Sequence, residues 1–335
     1  MLQASFAMCT YNGEAFLQKQ LESFTQQTVL PAELVVCDDC STDATMEILE
    51  RFALQAPFEV RIFRNEQNLG YVRNFEKAGR LCTRDVVFFS DQDDLWLPEK
   101  NEKTLRIFEA EESVGLVLLA ASLIDAEDRP IPPSRRIRRK MEKNQQKEEI
   151  VNFEVQTLLH HWVASWQGCN MAYRNSLKEV IYPIHSELGH DQWILLLLGA
   201  LSETRFLPAP TLLHRLHASN ASRLSSAKKG LLERALYSLR RHQDPDRYRL
   251  KSELFMGLRQ RIAENPEMLR HPELVPVFRR FEEHLAARAE ALEFPERRWR
   301  LLRQEWKNGN YAFCSKGMKD LISDAVAFLP PQKTF

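Results

Sequence analysis

The stretch Val86-Val87-Phe88-Phe89-Ser90-Asp91-Gln92-Asp93-Asp94-Leu95-Trp96 decides how this chain is read. Its first half is an apolar run with the length and residue types of a buried parallel strand. It ends in three carboxylates, Asp91, Asp93 and Asp94. Open α/β sheets gather ligand groups where a strand gives way to the loop that follows it. Carboxylates this close repel one another, so something positive has to offset them, most simply a hard divalent cation. The plainer reading is an acidic helix start, with Asp94 or Glu99 capping the helix that opens near Pro98.

Outward from this stretch, residues 1–120 alternate strand and helix. Strand-like runs fall at Ser5–Cys9, Glu33–Asp38, Glu59–Phe63, Val86–Ser90 and Val114–Ala120. Between them, Glu14–Phe24, Thr42–Leu54, Val72–Leu81 and Pro98–Ala110 carry apolar residues three or four apart, the helical period. That rhythm predicts a mostly parallel, Rossmann-like sheet covered on both faces. No Gly-x-Gly-x-x-Gly or Gly-Lys-Ser/Thr loop follows the first strand, which argues against a dinucleotide or P-loop site.

Other predicted strand ends carry polar clusters too. Cys9-Thr10-Tyr11-Asn12-Gly13-Glu14 suits contact with a base and ribose, or simply an Asn-Gly turn into the next helix. In Asp38-Asp39-Cys40-Ser41-Thr42-Asp43, adjacent carboxylates are costly to bury unless they accept hydrogen bonds. One of them could accept the N3–H of uracil or thymine while Ser41 caps a helix. After the third strand, Asn68, Gly70 and Arg73 follow, with Arg73 placed to offset the acids or meet a diphosphate. Farther on, Gly189-His190-Asp191-Gln192-Trp193 opens an apolar helix, Asp191–Leu201. A strand around Thr211–His214 then leads to Leu213-His214-Arg215-Leu216-His217. Asp191 alone reads first as a helix cap, and His217 alone as a structural histidine.

Taken in order, these stretches resemble the family-2 glycosyltransferases of GT-A fold over roughly residues 4 to 222. The resemblance implies an inverting transfer from a nucleoside-diphosphate sugar, with Thr10, Tyr11, Asn12, Glu14, Asp38, Asp39 and Ser41 holding the nucleotide. Asn68, Arg73 and Asp91 join the nucleotide-sugar side. Asp93 and His217 are implied as metal ligands, for Mg2+ or Mn2+, and Asp191 as the general base. Asp94, Trp96, Gly168, Cys169, Asn170 and His190 are assigned to the acceptor side. The wording Ser-Asp-Gln-Asp-Asp-Leu-Trp looks like the rhamnosyltransferase-type branch that builds bacterial surface polysaccharides, with a UDP- or dTDP-sugar as donor. His190 stands where the family places the first acid of an acidic pair, and no Gln-x-x-Arg-Trp segment of the processive synthases follows. A sugar nucleotidyltransferase would open with a Gly-rich basic loop, absent here. A non-catalytic nucleotide-sugar-binding protein would be indifferent to Asp191.

Lys+Arg balances Asp+Glu at 46 each in 335 residues, so no global field draws the chain to nucleic acid. Six scattered cysteines suit reduced thiols in the cytoplasm, and Cys37-x-x-Cys40 lacks a second pair to complete a zinc site. No secretory leader or spanning segment is read. A glycosyltransferase domain is expected over 1–224, with 1–120 as nucleotide-sugar half and 121–224 as acceptor half, interrupted by a mobile basic insertion near 126–150. Beyond 225, Leu231–Arg241, Arg247–Ala263, Leu274–Leu292 and Arg297–Trp306 predict a helical subdomain. The Arg135–Lys140 run, followed at once by Glu142, Glu148 and Glu149, reads first as a solvated loop; with the arginines of these helices it also suits a weak peripheral membrane contact on the inner face, where a glycan or lipid-linked acceptor would lie. A homodimer surface suits the helices equally well.

Overall fold

The computed structural model describes residues 1–132, 151–152, 167–185, 189–217 and 244–325. The readings of Val155–Leu159, Leu231–Arg241 and the Arg135–Lys140 run lie outside these residues. The described residues fall into two compact units, one drawn from 1–132, 151–152, 167–184 and 190–217, the other from 185, 189 and 244–325.

In the first unit, β1 (Ala4–Thr10), β2 (Glu33–Asp38), β3 (Glu59–Arg64) and β4 (Val86–Ser90) alternate with α1 (Leu17–Thr25), α2 (Thr45–Ala53) and α3 (Tyr71–Leu81). Then come β5 (Leu95–Trp96), α4 (Lys100–Ala110), β6 (Val114–Ile124) and β7 (Pro130–Ile131). They are followed by β8 (Val151–Asn152), β9 (Met171–Arg174), α5 (Lys178–Ile181), α6 (His190–Leu201) and β10 (Glu203–Arg215). The sheet order is β3-β2-β1-β4-β9-β6-β10-β5, with β7 on β6 and β8 on β10. The first four strands are parallel, and β6 runs parallel to β10, but β9 is antiparallel to both β4 and β6. The expected Rossmann-like sheet is therefore mixed at its centre. The boundary expected at residue 120 falls inside β6.

The order reverses between β1 and β4, which makes their C-terminal ends a topological switch point, where open sheets bind ligands. β2 and β4 are buried throughout because helices cover both faces. Under the switch point, Phe6 of β1 and Phe88 of β4 pack with Phe24 and Trp96, the Phe6 and Trp96 ring centres 4.5 Å apart. This aromatic floor fixes where the loops after β1 and β4 emerge.

The second unit is helical: α7 (Pro245–Glu264), α8 (Leu274–Glu293), α9 (Pro295–Lys307), α10 (Asn310–Cys314) and α11 (Met318–Ala325). Prolines sit in the first turn of α7 and α9, where the missing N–H costs nothing. No described helix is long and apolar enough to cross a membrane.

Candidate active site

The loops after β1 and β2 are zipped together by the residues read as nucleotide-binding. Thr10 Oγ1 donates to Asp38 Oδ2 at 2.9 Å, and the Ser41 amide to Asp38 Oδ1 at 2.9 Å. The Asn12 amide donates to Ser41 Oγ, while Asn12 Oδ1 accepts from the Thr42 amide at 2.9 Å. Glu14 Oε2 accepts the Ala44 amide at 2.9 Å, so this carboxylate supports the start of α2 from a neighbouring loop. Tyr11 projects, 53% exposed.

Asp39 organises the loop after β3. It accepts from Asn65 Nδ2 (2.8 Å), the Leu69 amide (2.7 Å) and the Gly70 amide (2.9 Å). Asn68 Nδ2 donates to the Asp39 carbonyl. Gly70 has φ 74° with open space around it, so the left-handed backbone, not crowding, is what calls for glycine. Arg73 does not reach the acidic strand ends as expected. Its guanidinium donates to Glu76 (2.8 Å) and the Ile184 carbonyl (2.9 Å), and Arg64 instead lies 4.0 Å from Asp38.

Asp91, Asp93 and Asp94 present carboxylate oxygens within 4.8 Å of one another. Burial first, then the charges of Asp94 and Asp93, push Asp91 up to about 7. Burial would also raise Asp94, but the His214 imidazole, the Cys169 thiol and the Arg215 amide outweigh it and hold this carboxyl below its ordinary value. His214 Nδ1 lies 2.8 Å from Asp94 Oδ1, and His217 Nε2 lies 2.7 Å from Asp93 Oδ2. Arg215, fully buried, donates from Nε to the Asp93 carbonyl at 2.8 Å. The end of β10 thus clasps the acidic loop. Beneath it, Lys100 is buried, donates to the Cys169 carbonyl (2.8 Å) and lies 3.5 Å over the Trp96 ring. Burial pushes its ammonium down to about 7 against the pull of Asp94 and Asp91.

The cluster fits a divalent cation. Asp94 Oδ2 is buried with no hydrogen-bond partner among the described residues, and an unmatched oxygen beside two more carboxylates is costly unless a positive group meets it. The donors are oxygens, which suit Mg2+ or Mn2+.

At the start of α6, His190 stacks on Phe75 (4.2 Å between ring centres) and meets the edge of Phe89 (5.1 Å), two residues before Asp91. Burial pushes this imidazole down to about 3, so it is neutral near pH 7. Asp191, the next residue, is partly exposed. Burial pushes its carboxyl up to about 6, against the bond from the Gln192 amide at 2.7 Å.

The sequence profile described as Glycosyl transferase family 2 matches residues 5–179, more than half of the chain. The chain belongs to glycosyl transferase family 2. An uncharacterized glycosyltransferase of Nostoc sp. is 26% identical over 223 residues, covering 65% of this chain and 66% of that protein. A dTDP-rhamnosyl transferase of Shigella flexneri is 36% identical over 97 residues, 28% of this chain and 34% of that protein. The matches therefore span about one third to just under two thirds of these relatives' own length. Among solved structures, Staphylococcus aureus TarS with UDP aligns at a TM-score of 0.57 and 19% identity, over 97% of this chain and 90% of that chain. Mannosyltransferase PcManGT from Pyrobaculum calidifontis with GDP-Man and Mn2+ aligns at 0.52 and 18%, over 97% and 86%. At these identities the likeness shows the GT-A-type fold alone.

In this family-2 chain the residues assigned to the acceptor do not line an open surface. Trp96 belongs to the aromatic core, Asp94 and Cys169 are fully enclosed, and Gly168 lies against the buried His190, where an added Cβ would come 2.2 Å from Nε2. Of the six, only Asn170 is partly exposed. Gln92 went unnoticed in the sequence. Its Oε1 accepts the Tyr11 amide (2.8 Å) and its Nε2 donates to the Tyr11 carbonyl (3.0 Å), tying the loops after β1 and β4 across the switch point. An amide between two carboxylates was the available signal. His214 and Arg215 close the strand predicted around Thr211, but strand spacing does not reveal that they turn toward Asp93 and Asp94. Lys100 reads as a surface helix residue by type.

Proposed function

We propose that this chain transfers a sugar from a nucleoside-diphosphate sugar to a hydroxyl of a glycan or lipid-linked acceptor, with inversion at the anomeric carbon. The observation that carries this reading is the convergence of three carboxylates at the β1/β4 switch point, one with an unmatched buried oxygen. Asp91, Asp93 and Asp94 would hold Mg2+ or Mn2+ there, with His217 alongside, supplying positive charge for the departing diphosphate. Tyr11 offers an exposed ring to the base. Asp39 Oδ2 accepts only the Gly70 amide among the bonds described above, so a lone pair is left for the N3–H of uracil or thymine. A protein of the same fold was solved with GDP-Man, so the base preference rests on Asp39 and not on the fold. The Shigella relative's dTDP-rhamnosyl name supports a dTDP-sugar.

Asp191 is the general base. With its carboxyl near 6 it is ionised at neutral pH yet basic enough to take a hydroxyl proton, the balance that proton transfer favours. One displacement from the face opposite the diphosphate needs no enzyme nucleophile, so the anomeric configuration inverts. Residues 1–120 would serve mainly the donor and 121–224 the acceptor, in surface polysaccharide synthesis.

The test is to offer UDP- and dTDP-sugars with Mn2+ and follow hydrolysis or transfer by NMR. An inverted product, lost in Asp191→Asn with donor binding intact, is expected. Retention would overturn the mechanism, and transfer undiminished in Asp191→Asn would overturn the base assignment.

A further inference from the structure

In the helical unit, α9 buries Leu302 and Glu305 and packs Leu301 inward, leaving its other flank in water. That flank carries Trp299, Arg300, Arg303, Trp306 and Lys307. The positions are three, four and seven apart, which lines them up along one side of a helix. Trp299 is 68% exposed and Trp306 44%, high for a residue type that is mostly buried on average. Arg300, Arg303 and Lys307 are exposed and make no salt bridge among the described residues. Arg297, by contrast, is tied to Glu290 at 2.9 Å. The acids of α9 offset the stripe only in part: Glu305 is buried against His284, and Glu296, three residues before Trp299 and four before Arg300, is one carboxylate at the start of the stripe, 3.9 Å from Arg297.

We infer that the Trp299–Lys307 flank of α9 is a docking surface for the headgroup layer of an anionic lipid bilayer. Tryptophan rings settle where one end is apolar and the other wet, at headgroup level, and unpaired cations beside them meet anionic lipid. A second copy of this chain fits the face badly, because two-fold pairing would set the same basic patch against itself. Single-stranded nucleic acid calls for a basic groove that tracks the backbone, whereas this is one flank of a thirteen-residue helix. The inference stands apart from the catalytic reading. If both hold, the surface would bring the transferase to acceptors carried on lipid.

The full-length protein is sedimented with vesicles of phosphatidylglycerol and phosphatidylcholine, and with phosphatidylcholine alone, at low and moderate salt. Binding to the anionic vesicles that weakens with salt is expected. Each cation near such a surface strengthens partitioning about fivefold, so Arg300→Gln/Arg303→Gln/Lys307→Gln should weaken it about 100-fold, while Arg300→Lys/Arg303→Lys keeps it. Quenching of tryptophan fluorescence by brominated lipid should fall in Trp299→Ala/Trp306→Ala. An unchanged melting temperature verifies that each variant is folded. The inference is overturned by a wild-type protein that ignores anionic vesicles, or by a folded triple-Gln variant that binds them equally well. It is also overturned if these variants change the sedimentation mass of the free protein, or if wild-type binds an oligonucleotide more tightly than the vesicles.

Discussion

The two units each bury a cluster of acids, and the clusters are finished differently. In the helical unit, Asp324 takes a forked pair of bonds from Arg288 at 2.7 and 2.9 Å. Tyr311 also donates to Asp324 at 2.6 Å, and Asp320 lies 3.3 Å from the same guanidinium. Tyr248 completes the set by accepting from Arg288 at 2.8 Å. The chain supplies its own cation there: burial works against the charged guanidinium, but the carboxylate of Asp324 outweighs it and raises the guanidinium's hold on its proton. At the sheet switch point, three carboxylates, Asp91, Asp93 and Asp94, lie within 4.8 Å of one another and are met by two histidines and backbone donors. A cluster closed by arginine stiffens a fold. Three carboxylates crowded this closely are ready for a cation from outside.

The strongest way to break this contrast is Arg288→Met, which strands Asp320 and Asp324 without their cation. Removing one partner of a buried pair costs about 3–5 kcal/mol, read as a lower urea midpoint at unchanged slope. Asp93→Asn should do the opposite. Without metal its melting temperature holds or rises because repulsion is relieved, while Mn2+-dependent affinity for UDP or dTDP, measured by calorimetry, falls at least ~10- to 100-fold. A loss of metal-free stability as large as that of Arg288→Met would erase the distinction between the clusters.

Asp191→Asn should lower turnover about 100- to 10,000-fold with donor affinity unchanged. The pH profile sharpens the assignment. Turnover by the wild type should rise with pH through about 6 and then level. Folding responds in the reverse sense. The raised carboxyl favours the folded state below the ordinary aspartate range, and this contribution is lost as pH climbs toward about 6. Thermal melts across that window should show a small decline that Asp191→Asn removes. The smallest effect belongs to Gln92→Ala. Its two net hydrogen bonds of about 0.5–1.5 kcal/mol each hold the loops together in the free protein, so the metal-free melting temperature should fall by a few degrees.

Most of the sheet was legible because buried strands and amphipathic helices write their periods plainly, as β2, β4 and α2 do. β10 was read only from Thr211, yet it runs from Glu203. Pro208 and Pro210 look like a break, and the strand takes them up through register shifts between Leu207, Pro210 and Leu212. β9 carries no mark of its antiparallel direction, since strand polarity is settled by connections and not by local pattern. In the site, Asp91, Asp93 and Asp94 announced themselves by crowding. The partners of Asp39, Asp94 and Arg73 did not, because they come from residues 31, 120 and 111 positions away.

The Gln92–Tyr11 bridge has a consequence for changing this protein. A Cβ at Gly13 would come 2.3 Å from Gln92 Oε1, so the glycine keeps the space that the amide occupies. Positions 13 and 92 are therefore one choice made twice, 79 residues apart. A loop grafted after β1 to admit a different nucleobase will need a matching residue at 92. A library that varies either position alone will mostly sample broken bridges.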